Sequence, residues 1–136
     1  MSPSRVALVT GAGSGIGKAV SQQLSATMAI AACDLGSAAA EDTTAAISAA
    51  GGRAEAYCFD VADHGAVHDA VASVVGSLGR LDVVVGAGGH ADFVDFLDLT
   101  EDRWDRMMAV HAKGAFNLAH AALPTMKEHG FGRIVY

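Results

Sequence analysis

The apolar residues Val6-Ala7-Leu8-Val9 run directly into Thr10-Gly11-Ala12-Gly13-Ser14-Gly15-Ile16-Gly17, and no other segment of the chain restricts its fold so strongly. It reads as a strand, a glycine-rich turn and the opening of a helix. Each glycine answers a steric demand. Gly11 lets the chain leave the strand in a tight turn, Gly15 removes a side chain where backbone must approach a pyrophosphate, and Gly17 lets the following helix press close to the sheet. That helix points free N–H groups and the positive end of its dipole at a bound anion. A flexible loop is the plainer alternative in a chain of 16 glycines. Ile16, Val20 and Leu24 recur at helical spacing beyond the turn, which favours a seat for a dinucleotide.

Short apolar runs alternate with helical stretches along the whole chain, the pattern of βαβ units. The sequence predicts strands near 5–10, 28–34, 53–59, 81–86 and 132–136, and helices near 15–26, 37–50, 64–78 and 101–129. Gly51-Gly52, Gly79 and Gly130 stand where helices end, as residues able to take positive φ. Thr100 is a good N-cap, followed by Glu101 and Asp102 in the first turn. The alanine-rich stretch 38–50 suits a helix packed closely on a sheet better than a linker. Right-handed crossovers give an α/β, Rossmann-like, doubly wound parallel sheet of strand order 3-2-1-4-5 between two helical layers. Its crevice lies between strands one and four. The segments Gly11–Gly17 and Gly86–Gly89 both end strands beside it.

At 136 residues the expectation is a single domain over 1–136. The formal net charge of −6 gives no basic footprint, which argues against nucleic acid as a partner. No apolar run is long enough to span a bilayer, and Met1–Arg5 leads into a strand without a signal-peptide core, so no membrane partner and a cytoplasmic location are expected. Cys33 and Cys58, near the ends of consecutive strands, read as buried reduced thiols.

Thr-Gly-x-x-x-Gly-x-Gly, with three residues between the first two glycines, resembles the short-chain dehydrogenase/reductase family. Further landmarks follow in order: Asp34, Asp60-Val61, Leu81-Asp82-Val83-Val84-Val85, the stretch from Trp104 to Asn117, and Gly132-Arg133-Ile134-Val135. The likeness runs from Arg5 to Tyr136. It implies an NAD-dependent oxidoreductase that moves a hydride between nicotinamide and an alcohol or ketone. The implied cofactor contacts are Gly11, Ser14, Gly15, Ile16 and Gly17, with Asp34 and Leu35 beyond the second strand. Asp60 and Val61 are implied at the adenine, and Ala87, Gly88, Gly89 and Val110 complete the set.

Asp34 argues for NAD over NADP. A carboxylate at the end of the second strand accepts from both adenosine ribose hydroxyls and repels an added phosphate. No Arg or Lys follows at Leu35 or Gly36, and Ser14 stands where NADP-preferring relatives often carry a basic residue. The alternative for Asp34 is a solvated strand-end carboxylate, and for Asp60 a turn residue before Ala62-Asp63. Two positions depart from the family pattern. The second loop is Gly86-Ala87-Gly88-Gly89 where the family has Asn-Asn-Ala-Gly, a lost hydrogen-bond network costing about 1–2 kcal/mol. His111 replaces the asparagine that holds a water in the family's proton relay. A histidine bonds water too, or is satisfied by local backbone. Lys113 does not qualify as the catalytic lysine, because no tyrosine stands four residues before it.

The other histidines suggest less. His64 and His68 stand one turn apart, a metal-ligand spacing, but no third ligand lies nearby in the sequence, so an exposed helical face and no metal are expected. His129 suits the free carbonyls of a helix end. Met107, Met108, Phe116, Leu118, Ala119 and Ala122 form an apolar face of the 101–129 helix. In the family this helix commonly builds a dimer, which implies a homo-oligomer here.

Hydride transfer also needs a positioned acid or base. The family uses a serine after the fifth strand and a later Tyr-x-x-x-Lys pair, and neither occurs in residues 1–136. No catalytic set is complete. Asp92, Phe93 and Phe96 are expected to border a substrate region. The chain thus reads as the cofactor-binding part of a truncated oxidoreductase, with a catalytically silent dinucleotide-binding module or a non-functional product as the alternative. An open apolar edge at Ile134 and Val135 favours association.

Overall fold

The computed structural model describes residues 4–136. Five parallel strands, β1 (Val6–Thr10), β2 (Ala29–Asp34), β3 (Ala54–Cys58), β4 (Val83–Gly86) and β5 (Arg133–Val135), form one sheet in the order β3-β2-β1-β4-β5. Helices α1 (Gly15–Leu24) and α2 (Ser37–Ala49) cover one face, and α3 (His64–Leu78) and α5 (Gly114–Glu128) the other. The central strands β1 and β2 are buried on both faces, as their unbroken apolar runs require in a parallel sheet.

Successive β1 side chains feed opposite cores. Val6 and Leu8 join Val67, Val71, Val74 and Leu118 under α3 and α5. Ala7 and Val9 join Ile30 and Ile47 under α1 and α2. Small residues in β2 keep the helices close on both faces, Ala29 and Ala31 under α3 and α5 and Ala32 under α1 and α2. The start of β4 is tied to β1 through Asp82, whose Oδ2 accepts from the Val6 N–H at 2.9 Å while Arg80 grips both carboxylate oxygens at 2.8 and 2.6 Å. Burial alone would raise the Asp82 carboxyl, yet Arg80 and the Val6 amide outweigh it and hold the group below its ordinary value.

The helix signals hold. Gly51, Gly79 and Gly130 all take positive φ, and Thr100 Oγ1 accepts from the Arg103 N–H. The expected helix over 101–129 forms without a break, with one irregularity in its hydrogen-bond pattern. Helix α4 (Glu101–Met108) passes into a π-helical turn, Ala109–Lys113, before α5 begins. A π turn carries one extra residue per hydrogen-bonded ring, so it rotates the side chains that follow it. Gly114 then allows α5 to start hard against Val61, whose Cγ2 would lie 2.9 Å from a β-carbon there. Cys33 is buried as expected, whereas Cys58 is exposed, because β3 is an edge strand and leaves its last residue uncovered. Among the described residues no helix is long and apolar enough to cross a membrane.

Candidate functional site

The chain reverses direction across the sheet between β1 and β4, and a cleft of about 340 Å³ opens at the carboxyl ends of these strands. Its floor is two glycine loops in contact. Gly11 has φ +65°, and a β-carbon on it would lie 2.8 Å from Gly88 Cα and 2.9 Å from the Ala87 carbonyl. Thr10 Oγ1 accepts from the Gly88 N–H at 3.2 Å and so joins the loops directly. Gly17 does not line the cleft. It is buried, and a β-carbon there would collide with the Gly11 carbonyl, so its absence sets how closely α1 approaches the turn.

The mouth of α1 is left for a ligand. Ser14 occupies the N-cap position in an extended conformation and makes no side-chain capping bond. The first helical bond runs from the Lys18 N–H to the Ser14 carbonyl, which leaves the Gly15 and Ile16 amides without an intrahelical partner and able to meet an anion, whereas those of Ala12 and Gly13 bond Cys33 and Asp34. Ser14, Gly15 and Ile16 line the cleft, and Ile16 is exposed rather than packed into the core with Val20 and Leu24.

Asp34 closes one side. Its Oδ2 accepts from the Gly13 N–H at 2.8 Å and its Oδ1 from the Gly36 N–H at 3.3 Å. The carboxylate therefore braces the glycine turn, and Leu35 lies beside it, 63% exposed. Asp60 does more than turn the chain. Its Oδ1 accepts from the Ala62 N–H at 2.9 Å, and its Oδ2 pairs with Arg106 Nη1 at 3.0 Å. Burial would raise this carboxyl, but the amide and the guanidinium prevail and lower it. Val61, Ala87, Gly89 and Val110 complete the wall.

All the contacts expected from the sequence except Gly17 thus share this cleft. Thr10, Cys33, Phe59, His90 and Arg106 also line it, and sequence reasoning missed them. Arg106 reaches the cleft from α4 across a long chain separation, which no local pattern signals. Cys33 is fully buried, and burial pushes its thiol far up, so it contributes shape and no thiolate.

His111 has a definite partner. Its Nε2–H donates to the His90 carbonyl at 2.7 Å, and its ring lies so close to Gly89 that a β-carbon there would meet Cε1 at 2.5 Å. The histidine clamps the second glycine loop. Gly86 is explained as well: the Tyr136 ring occupies the space a side chain at 86 would need. Tyr57 has no lysine beside it, and its hydroxyl donates to Glu55 at 2.9 Å. Burial first, and then Glu55, push it up to about 12. Phe93 and Phe96 point into solvent, and Asp92 pairs with Arg103 at 3.3 Å, so none of the three lines the cleft.

The fold has many counterparts. The family model for short chain dehydrogenase matches residues 5–136. The short-chain reductase protein NovJ of Streptomyces niveus is 38% identical over 99% of this chain and 52% of its own length. A 3-ketoacyl-ACP reductase from Sinorhizobium meliloti superposes with a TM-score of 0.92 at 37% identity, over 96% of this chain and 52% of that one. A metagenomic short-chain oxidoreductase solved in complex with NADP gives a TM-score of 0.92 at 31% identity, covering 98% and 62%. The chain spans about half the length of the curated relatives it matches. With one family model running from the first strand to the last residue, the chain belongs to the short-chain dehydrogenase family.

Proposed function

We propose that residues 1–136 are the dinucleotide-binding part of an NAD-dependent short-chain oxidoreductase acting between an alcohol and a ketone. The observation that carries the cofactor assignment is Asp34, held at 2.8 Å from the Gly13 amide at the lip of the cleft. There its carboxylate would accept from two ribose hydroxyls and repel a phosphate on that sugar. The residues present fit such a cofactor: two glycine-rich loops make the floor, and uncapped amides at the start of α1 would receive a pyrophosphate. Val61 offers an apolar edge to an adenine beside the Asp60–Arg106 pair. When bound, the nicotinamide supplies or accepts the hydride.

The chain's own residues bind and orient the cofactor. Residues 1–136 hold no complete proton-transferring set, since Tyr57 has Val61 rather than a lysine four residues on. The expected behaviour of this polypeptide is binding without turnover. A fluorescence titration tests it: NADH binds more tightly than NADPH, and Asp34→Ala weakens NADH by about 10- to 100-fold while narrowing the preference. NADPH binding as tightly as NADH to the unaltered chain would refute the assignment.

A further inference from the structure

On the face of the sheet away from α1 and α2, helices α3 and α5 lie side by side, and three imidazoles meet where their outer surfaces join. His64 and His68 come from α3, one turn apart, and His120 from α5. One ring nitrogen from each lies within 4.8 Å of the others. The closest pair, His68 Nε2 and His120 Nδ1, is 3.0 Å apart, so at most one of these two nitrogens carries a proton in that contact. Ring centroids are 4.4, 5.1 and 5.5 Å apart.

Sequence spacing offers no third ligand because His120 is 52 residues beyond His68, and only the packing of α5 on α3 supplies it. A second feature orients the group. Asn117 is fully buried, and its Nδ2 donates to the Val61 carbonyl at 2.8 Å, which fixes the amide so that Oδ1 faces His64. His64 Nδ1–H donates to that oxygen at 2.8 Å. The protonated nitrogen of His64 is therefore defined, and the Nε2 lone pair is left for a ligand. A buried acceptor that sets an imidazole's tautomer and direction is what metal-bound histidines ordinarily possess. Phe116 flanks the cluster, its ring 6.0 Å from His64 and 5.3 Å from His120.

We propose that His64, His68 and His120 form a binding site for a divalent transition-metal ion of the zinc class, with Asn117 as a positioning residue. Three neutral imidazoles suit zinc, nickel or copper rather than magnesium or calcium, which require oxygen ligands. Tetrahedral zinc holds its nitrogens about 3.4 Å apart, so small rotations of exposed rings close the longest gap. Two of the three histidines are exposed and the fourth position is open to water. The ion would cross-link α3 to α5, adding to the apolar contacts on the sheet side and to the His64–Asn117 hydrogen bond.

The test is a zinc titration of the 136-residue chain at neutral pH, by calorimetry and by competition with a chromophoric chelator. The expected result is equimolar binding with a dissociation constant in the micromolar range or tighter. His120→Ala should weaken it at least about tenfold, while His129→Ala leaves it unchanged. Zinc should also raise the melting temperature of the unaltered chain and not of His120→Ala. A measurement without substitutions guards against a variant that fails to fold: imidazole proton resonances of His64, His68 and His120 shift with zinc, and those of His90, His111 and His129 do not. Absence of equimolar binding, or shifts spread over all six histidines, would overturn the proposal.

Discussion

At the scale of single residues, the cleft depends on side chains that are missing as much as on those present. Gly17→Ala places a methyl group against the Gly11 carbonyl, and the two segments must separate. The expected cost is about 1–3 kcal/mol together with loss of NADH binding, read from a thermal melt and a titration. His111→Ala removes the donor to the His90 carbonyl and frees the loop at Gly89. NADH should then bind about fivefold more weakly, the worth of one hydrogen bond, with little change in melting temperature. These two positions also show what sequence reading reaches. The glycine spacing is a local pattern with a local cause, so Gly11 and Gly17 are visible in eight residues. The partner of His111 is a backbone carbonyl at residue 90, and no pattern of residue types encodes that contact.

Among elements, the central strands are the most legible, because burial of a parallel sheet on both faces imposes continuous Val, Ile, Leu and Ala runs on β1 and β2, whereas the edge strands β3 and β5 are read from their alternation with helices. Strand ends are less visible, and so is the π turn over Ala109–Lys113, whose residues are all compatible with an ordinary helix. The junction of β4 with β1 rests on the buried Asp82. Asp82→Ala leaves Arg80 and the Val6 amide without their acceptor, and is expected to lower stability by about 3 kcal/mol in urea unfolding. The pH dependence has a definite sign. Because the folded-state value of Asp82 is depressed, its stabilisation is complete above the ordinary carboxylate value of about 4 and is lost as pH falls through the lower folded value. Urea midpoints measured downward from neutral pH should drop steeply below that point for the unaltered chain, and less steeply for Asp82→Ala.

For the whole molecule, several large apolar side chains remain uncovered. Trp104, Met108, Phe116 and Leu123 on the α4–α5 segment are each about half exposed, and β5 lies at the edge of the sheet with Val135 uncovered. Sedimentation of the 136-residue chain should therefore show dimers or larger species, and a stable monomer at micromolar concentration would contradict that expectation. The histidine cluster belongs to this scale too, since only the docking of two helices assembles it. Asp34 carries a consequence for anyone redesigning the dinucleotide preference. One of its oxygens already holds the Gly13 amide, and the space above Gly13 is closed by Ala39 as well. On the proposed role of Asp34, exchanging the acid for a neutral residue to admit a phosphorylated sugar would also take a brace from the glycine turn. Such a swap succeeds only when a substitute acceptor, such as a serine hydroxyl, is installed within reach of that amide.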